Sequence, residues 1–146
     1  MAGAETKRDG RAAGLEPQLE AQPDVETGDL YTRAEALRDG CLIDATPLAA
    51  EMGITLPIAL THHTWRRTVV LTLAAHAAGE DEALRLRNIL ATYRLAALQN
   101  PPADILVFTA QVVTASATPI PMLLRALKGQ GDRGEPVVTI SLFDED

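Results

Sequence analysis

The chain has 146 residues, of which 47% are hydrophobic and 23% charged, and this predicts one globular domain with a core of its own. The net charge of −7 arises at the ends, because residues 1–30 hold seven acidic and three basic groups and residues 144–146 are all acidic. The body, 31–143, holds ten of each, which excludes the broad positive face of a nonspecific nucleic-acid binder.

The first 29 residues have the composition of a disordered leader, with glycine, proline and charged residues but no apolar period. We therefore expect a leader over 1–29 and a single domain over 30–146. No basic-then-apolar signal peptide opens the chain, and the apolar run 69–78 is shorter than the ~20 residues of a membrane span. A single cysteine, Cys41, excludes an intramolecular disulfide, and together these features predict a cytoplasmic protein that does not enter a membrane.

A short helix and a short strand open the domain. Thr32 and Glu35 have the spacing of a capping box, which predicts a helix that ends at Gly40. The apolar run 41–43 predicts a strand, and Cys41 within it is expected to be buried.

A second short helix and an extended segment follow. Thr46 is expected to cap this helix, with Pro47 at its first position and an end near Gly53. Residues 57–60 are expected to be extended, because a proline disfavours helical geometry in the residue before it.

Two longer helices are predicted in the middle of the chain. The first begins at a cap on Thr61 or Thr64, runs to about Ala78 and stops at Gly79. The second runs over 82–99, because Glu80-Asp81-Glu82 complement the dipole of a helix start and prolines follow Asn100.

The last third changes to a period of two, which predicts strands over 105–113, 122–127 and 137–142. A glycine-rich connection, 128–136, joins the last two. The fold class expected is α+β: an antiparallel β meander packed against the two longer helices, with short N-terminal helices and a short strand.

The helix over 82–98 carries two apolar stripes, and a helix at a domain surface needs only one. The first stripe comprises Leu86, Leu90, Tyr93 and Ala97, and the second, roughly opposite, comprises Leu84, Ala91, Leu95 and Leu98. Arg87 and Arg94 lie on one flank between the stripes, with Arg85 and Thr92 on the other. Two stripes indicate either a helix enclosed within the core or one that presents a surface to a partner.

The sequence favours no cofactor and no metal. Gly129, Gly131 and Gly134 match G-x-G-x-x-G, but a strand follows them instead of the helix that a dinucleotide site requires, so we expect a hairpin loop. His62 and His76 share a face if one helix holds both, but they are then ~21 Å apart and cannot bind one ion. On that helix His76 is expected to be half-buried.

Trp65 begins the first long helix and is followed by Arg66 and Arg67. A tryptophan beside arginines is able to stack on a nucleic-acid base or on a partner's aromatic ring, but a core anchor is the interpretation we favour. Asp39 and Asp44 flank the first strand and are either paired carboxylates or turn and cap residues, of which we favour the second.

Two segments resemble a family of small bacterial proteins of unknown function that are encoded on plasmids, phages and other mobile elements. The first opens Tyr-Thr-Arg at residues 31–33 and continues to Asp39-Gly40 and Asp44. The second is Gly-Asp-Arg-Gly-Glu-Pro-Val-Val-Thr-Ile at 131–140, with an acidic end at 144–146. The resemblance covers 31–146 and implies a genomic context without implying a reaction.

Three functions are compatible with these features. The one we favour is a non-enzymatic accessory protein of a mobile element that binds another protein or itself as a homodimer, and acts against host defence or on replication. The second is a small enzyme with a polar site built from the two end motifs; the third is a weak nucleic-acid binder through Arg66, Arg67, Arg87 and Arg94. The binding candidates are Arg33, Asp39, Asp44, Asp132, Glu135, Trp65, Leu84, Leu95 and Leu98. We further expect strand 41–43 to lie beside the meander, bringing Arg33, Asp39 and Asp44 close to Asp132, Arg133 and Glu135.

Overall fold

A computed structural model of the chain describes residues 31–145 and has five helices and one five-stranded sheet in that range. The elements in chain order are α1 (Arg33–Asp39), β1 (Leu42–Asp44), α2 (Thr46–Glu51), β2 (Ile58–Thr61), α3 (His62–Thr68), α4 (Leu73–Ala77), α5 (Glu82–Gln99), β3 (Ile105–Val112), β4 (Ile120–Gln130) and β5 (Pro136–Leu142). The predicted α+β class is therefore confirmed. The leader predicted over 1–29 lies outside the described residues.

The strand order in the sheet is β1-β2-β5-β4-β3. Strands β3, β4 and β5 are antiparallel neighbours, which confirms the predicted meander. β1 joins β2 antiparallel, and β2 lies parallel to β5, with Leu60 facing Ile140. β1 thus belongs to the same sheet as the meander. It is connected to it by β2, which pairs in parallel with β5 although the two strands are far apart in the chain.

One face of the sheet forms the core with the helices. Strand β3 shows the alternation most clearly, because Phe108, Ala110 and Val112 are buried while the residues between them are exposed. The centre of the core comprises Ile58, Leu60, Val69, Ile89, Leu90, Leu124, Val138 and Ile140. Helix α5 packs on β3, so the longest helix lies over one edge of the sheet.

The single helix predicted up to Ala78 is wrong, because the chain breaks it into α3 and α4. The amides of Val69 and Val70 both donate to the Trp65 carbonyl oxygen, at 2.8 and 3.1 Å, and the helix ends there. Thr72 then caps α4 by accepting from the amide of Ala75 at 3.0 Å. The β-branched run 68–70 and a cap-forming threonine outweigh the apolar period. His76 is consequently exposed on α4, not half-buried on a long helix.

Two predictions about the first strand also need correction. Cys41 is exposed and lies one residue before β1, although its carbonyl oxygen accepts from the His62 amide at 2.9 Å. Thr46 does not cap α2: Ala45 holds the cap position, and Thr46 is the first helical residue. The Thr46 hydroxyl instead donates to Asp44 Oδ1 at 2.6 Å and accepts from the Ile58 amide at 3.1 Å, which joins α2 to both neighbouring strands.

Backbone contacts separate the segment that ends at Glu35 from a compact unit that begins at Ala36. Within the first segment, Thr32 and Glu35 form the predicted capping box: the Glu35 amide donates to Thr32 Oγ1 at 3.0 Å and the Thr32 amide to Glu35 Oε1 at 2.9 Å. In residues 31–145 no helix has the length and apolar character needed to cross a bilayer.

Candidate protein-interaction surface

Helix α5 buries most of its first apolar stripe and exposes the second. Leu86 and Leu90 of the first stripe lie in the core with the neighbouring Ile89, Tyr93 is half-buried, and only Ala97 is exposed. On the opposite side, Leu84, Leu95 and Leu98 are 41%, 56% and 70% exposed, and Ala91 is exposed beside them. We call these four residues the α5 stripe. Of the two interpretations drawn from the sequence, the helix that presents a surface agrees with this burial, and the enclosed helix does not.

The α5 stripe has the spacing of a helix-pairing seam. Leu84, Ala91 and Leu98 are seven residues apart, and Asn88 and Leu95 each follow one of them by four. Apolar side chains alternating at four and three residues form the contact line of a coiled coil, and an asparagine within that line fixes register. The pattern therefore fits contact with another helix laid along α5.

The first turn of α5 is fixed by its cap and by a buried arginine. The Leu84 amide donates to Asp81 Oδ1 at 2.7 Å. Arg85 is only 3% exposed, and its Nε donates to the Val69 carbonyl oxygen at 3.1 Å. Its Nη1 donates to the Val113 carbonyl oxygen at 2.9 Å and to Glu80 Oε1 at 2.8 Å.

Arg85 thus ties the ends of α3 and β3 to α5, and it holds the start of the α5 stripe in place. Its Nη2 atom is buried with no hydrogen-bond partner among residues 31–145. Sequence reasoning missed this role, since the helical period places Arg85 on a polar flank and gives no sign that a cation there is buried.

The second half of α5 is held by aromatic packing. The rings of Tyr93 and Phe108 have centroids 6.0 Å apart and are tilted by 59°. Burial raises the pKa of the Tyr93 hydroxyl above its ordinary value of 10.0. A cavity of about 200 Å³, lined by Tyr93, Leu56, Pro101 and Lys128 among others, lies beside the ring. These contacts orient the helix so that Leu95 and Leu98 point away from the core.

The arginines proposed as a nucleic-acid patch lie on two different helices. On α5, Arg87 Nη2 lies 3.9 Å from Glu51 Oε1, and a Cβ built on Gly53 lies 3.7 Å from the Arg94 guanidinium. This flank of α5 therefore faces α2, and the charge of Arg87 is partly balanced by the Glu51 carboxylate. Arg66 and Arg67 are exposed on α3.

Trp65 is partly buried and packs against the hydrophobic core, in agreement with the core-anchor interpretation. Beside α3, Arg67 lines a cleft of about 280 Å³ together with Leu123 and Phe143. Trp65 does not line that cleft.

Among the polar candidates, Glu135 braces the loop between β4 and β5. The Gly131 amide donates to the Glu135 carbonyl oxygen at 2.7 Å, and the Arg133 amide donates to Glu135 Oε1 at 2.9 Å. A Cβ on Gly131 would overlap the Glu135 carboxylate, and Gly134 has a φ of 80°. Gly131 and Gly134 therefore serve a hairpin turn, as expected, but the connection is shorter than the predicted 128–136, because β4 continues to Gln130 and Gly129 pairs with Val137 of β5. A strand and not a helix follows these glycines in the described residues.

The sheet register separates the two end motifs. Because β1 runs antiparallel to β2, and β2 runs parallel to β5, the start of β1 lies level with the end of β5. Asp39 precedes β1 and lies beyond the end of β5, whereas Asp132 precedes β5 and lies beyond its start. The seven residues of β5 separate these positions by about 20 Å along the strand.

The expectation that Asp39 and Asp132 share an edge is therefore wrong. It required strand 41–43 to lie directly beside the meander, but β2 lies between β1 and β5. The start of β1 is also level with the end of β5, away from the loop that precedes β5. Asp44 ends β1 two strands from β5 and accepts hydrogen bonds from Thr46, which makes it a turn residue. Arg33 lies at the start of α1, in the segment that ends at Glu35.

The acidic end of the chain has a packing role that the sequence did not reveal. Glu145 Oε1 accepts from the hydroxyls of Thr61 and Thr64 at 2.8 and 3.0 Å, and from the Leu142 amide at 3.2 Å. Its carbonyl oxygen also accepts from Arg125. One carboxylate thus joins the end of β5 to the start of α3, and no local pattern near Glu145 predicts partners about 80 residues earlier.

Over residues 31–145, no group of three or more His, Cys, Asp or Glu side chains is arranged to hold a metal ion. His62 and His63 are exposed at the start of α3, and His76 lies on α4. In comparisons with known proteins, no protein-family model, no curated protein and no solved structure matches the chain.

Proposed function

We propose that this protein is a non-enzymatic accessory protein that binds another protein by accepting one of its amphipathic helices along the α5 stripe. The observation that carries the proposal is the exposure of Leu84, Leu95 and Leu98 on a helix whose other side is buried. Leucines aligned on one helix and exposed to water are energetically unfavourable, because burying each side chain would lower the free energy. An aligned apolar surface of this kind indicates a site where a partner covers it.

The rigidity of α5 supports the same proposal. A docking helix gains affinity when its surface needs no rearrangement. Arg85 anchors the first turn to the carbonyl oxygens of Val69 and Val113, and Tyr93 packs a later turn against Phe108 of β3, so both halves of the helix are held against the domain. The partner's complementary face would be apolar at the same heptad positions, with a polar side chain opposite Asn88.

The separation of Asp39 from Asp132 weighs against the enzyme alternative, which required the end motifs to meet. The division of the arginines between α3 and α5 weighs against the nucleic-acid alternative. A mobile-element setting and a cytoplasmic location belong to the same proposal. They are supported by the resemblance of the end motifs and by the single cysteine.

The experiment is a comparison of affinity-tagged chains expressed in the native host, with retained proteins quantified by mass spectrometry. The test variant is Leu95→Gln with Leu98→Gln; the matched control is Leu73→Gln, which alters a leucine that is 90% exposed on α4. We expect the unchanged chain and the control to retain the same partner protein in equal amounts. The amount retained by the test variant should be lower by about tenfold or more. Equal retention by all three chains, with melting temperatures unchanged, would contradict the proposal.

A further inference from the structure

Strand β3 is an edge of the sheet without the usual protection against pairing. The opposite edge, β1, has only three residues and ends in Asp44. β3 has eight residues, with the sequence Ile-Leu-Val-Phe-Thr-Ala-Gln-Val, and contains no charge and no proline. Natural sheets protect exposed edges with short strands, charges or prolines, and β3 has none of these features.

The register shows which backbone groups of β3 point away from β4. The Lys128 amide donates to the Asp104 carbonyl oxygen at 2.8 Å, in line with the pairing of β3 with β4. In an antiparallel ladder, alternate residues direct both backbone groups to the same neighbour. The even-numbered residues of β3 therefore bond to β4. Within residues 31–145 no strand pairs with the other edge, where the odd-numbered residues 105, 107, 109 and 111 direct their amides and carbonyls.

The side chains of these same residues lie on the face of the sheet opposite the core. Ile105 and Val107 are 60% and 44% exposed, and Thr109 and Gln111 are also exposed. A strand added at this edge would therefore meet uncharged side chains beside backbone groups that no strand of residues 31–145 pairs with.

From Asn88 onwards, the helix above β3 carries no charge on the side of this edge. Arg87 and Arg94 mark the flank of α5 that faces α2, and α2 packs on β2, away from β3. At 100° per residue, the opposite flank carries Asn88, Thr92 and Gln99, preceded by Arg85, which is buried and paired with Glu80. A second molecule alongside β3 therefore meets no exposed like charge from this part of the helix flank or from the strand, although the whole chain carries −7.

We propose that two copies of this chain associate by antiparallel pairing of β3 with the partner's β3, forming a continuous ten-stranded sheet. The strand is self-complementary about Phe108: this register sets Val107 opposite the partner's Thr109 and Ile105 opposite the partner's Gln111, with every outward amide and carbonyl from 105 to 111 paired. The surface is distinct from the α5 stripe, so this pairing and the proposed function stand or fall separately.

The first test measures oligomeric state by sedimentation over a concentration series, using full chains that carry Cys41→Ser to prevent disulfides through the exposed thiol. Thr109→Pro removes an outward amide and leaves the ladder with β4 intact, whereas the matched control Thr109→Val keeps the amide. We expect the parent and the control to reach twice the single-chain mass and Thr109→Pro to stay at the single-chain mass. A monomeric parent, or a folded Thr109→Pro that dimerises as the control does, overturns the proposal.

The second test fixes the register and does not need the proline variant to fold. Chains with Val107→Cys and chains with Thr109→Cys, both lacking Cys41, are oxidised separately and as a mixture. Directly opposed residues of a hydrogen-bonded pair lie ~5.5 Å apart at Cα, within reach of a disulfide. We expect the mixture to form a covalent heterodimer at least tenfold faster than either chain alone. Equal rates, or no disulfide in the mixture, overturn the proposed register and with it the pairing.

Discussion

Arg85 and Glu80 form a largely buried ion pair, with Arg85 Nη1 2.8 Å from Glu80 Oε1 and the two side chains only 3% and 20% exposed. The remaining hydrogen bonds of the guanidinium go to carbonyl oxygens of Val69 and Val113. Glu80 therefore neutralises the buried Arg85 cation at the point where α3, β3 and α5 meet.

Removal of one member of this pair should destabilise the fold. We expect Arg85→Ala to lower the free energy of unfolding by about 3–5 kcal/mol, because it removes the buried cation and leaves Glu80 and two carbonyls unpaired. Glu80→Gln should cost about 1–3 kcal/mol. The matched control is Glu51→Gln at the exposed pair with Arg87, where we expect a change below about 0.5 kcal/mol in urea unfolding. Equal effects at both pairs would contradict the anchoring role.

A side chain at Gly131 should displace the exposed Glu135 side chain. A Cβ there would overlap the Glu135 carboxylate, so Gly131→Ala is expected to cost about 0.5–1.5 kcal/mol, the loss of the hydrogen bond from the Arg133 amide. Gly129→Ala is the control, because nothing lies within 4 Å of a Cβ there. In a Glu135→Ala background the cost of Gly131→Ala should fall markedly, and a cycle of thermal melts with strictly additive effects would contradict the close approach.

Stability should fall at alkaline pH because of Tyr93. Burial raises its pKa above 10.0 in the folded protein, so above about pH 10 the unfolded chain releases this proton more readily than the folded chain does. The contribution of the protonated Tyr93 to the free energy of unfolding is therefore fully present below about pH 10. It is lost as the pH rises through the higher pKa of the folded protein. Tyr93→Phe should flatten the decline in unfolding free energy above pH 10, whereas Tyr31→Phe, at an exposed position, should leave it in place.

Residues 1–29 should be dispensable for folding, because their composition supplies no apolar period for a core. A chain that starts at Leu30 is expected to melt cooperatively within a few degrees of the full chain by circular dichroism. Loss of the cooperative transition would show that the leader contributes to the folded unit.

Local chemistry in the sequence predicted much of the secondary structure. The capping box at Thr32, the positive-φ glycine at Gly79 and the period of two in β3 depend on residues within one or two turns of each other, and the structure confirms each. The break at Val69 also has local signals, the β-branched run 68–70 and the cap-forming Thr72, but an apolar period continues through it and favoured one helix.

The features that depend on distant partners could not be predicted. The parallel contact of β2 with β5, the burial of Arg85 and the role of Glu145 arise only when separate segments meet. For the same reason, Asp39 and Asp132 were expected to lie together, although the connection through β2 places them at opposite ends. The α5 stripe was predicted as one of two alternatives, because periodicity shows two apolar faces but not which of them is covered.

A photo-crosslinking amino acid at Leu95, with Leu73 on α4 as the control position, tests whether the α5 stripe binds another protein. Both side chains are exposed, but only Leu95 belongs to the α5 stripe. On irradiation in the native host, we predict that the chain labelled at 95 forms a covalent adduct with a different protein and that the chain labelled at 73 does not. No adduct from position 95, an adduct with a second copy of the chain alone, or the same adduct from both positions would contradict the proposed function of the stripe.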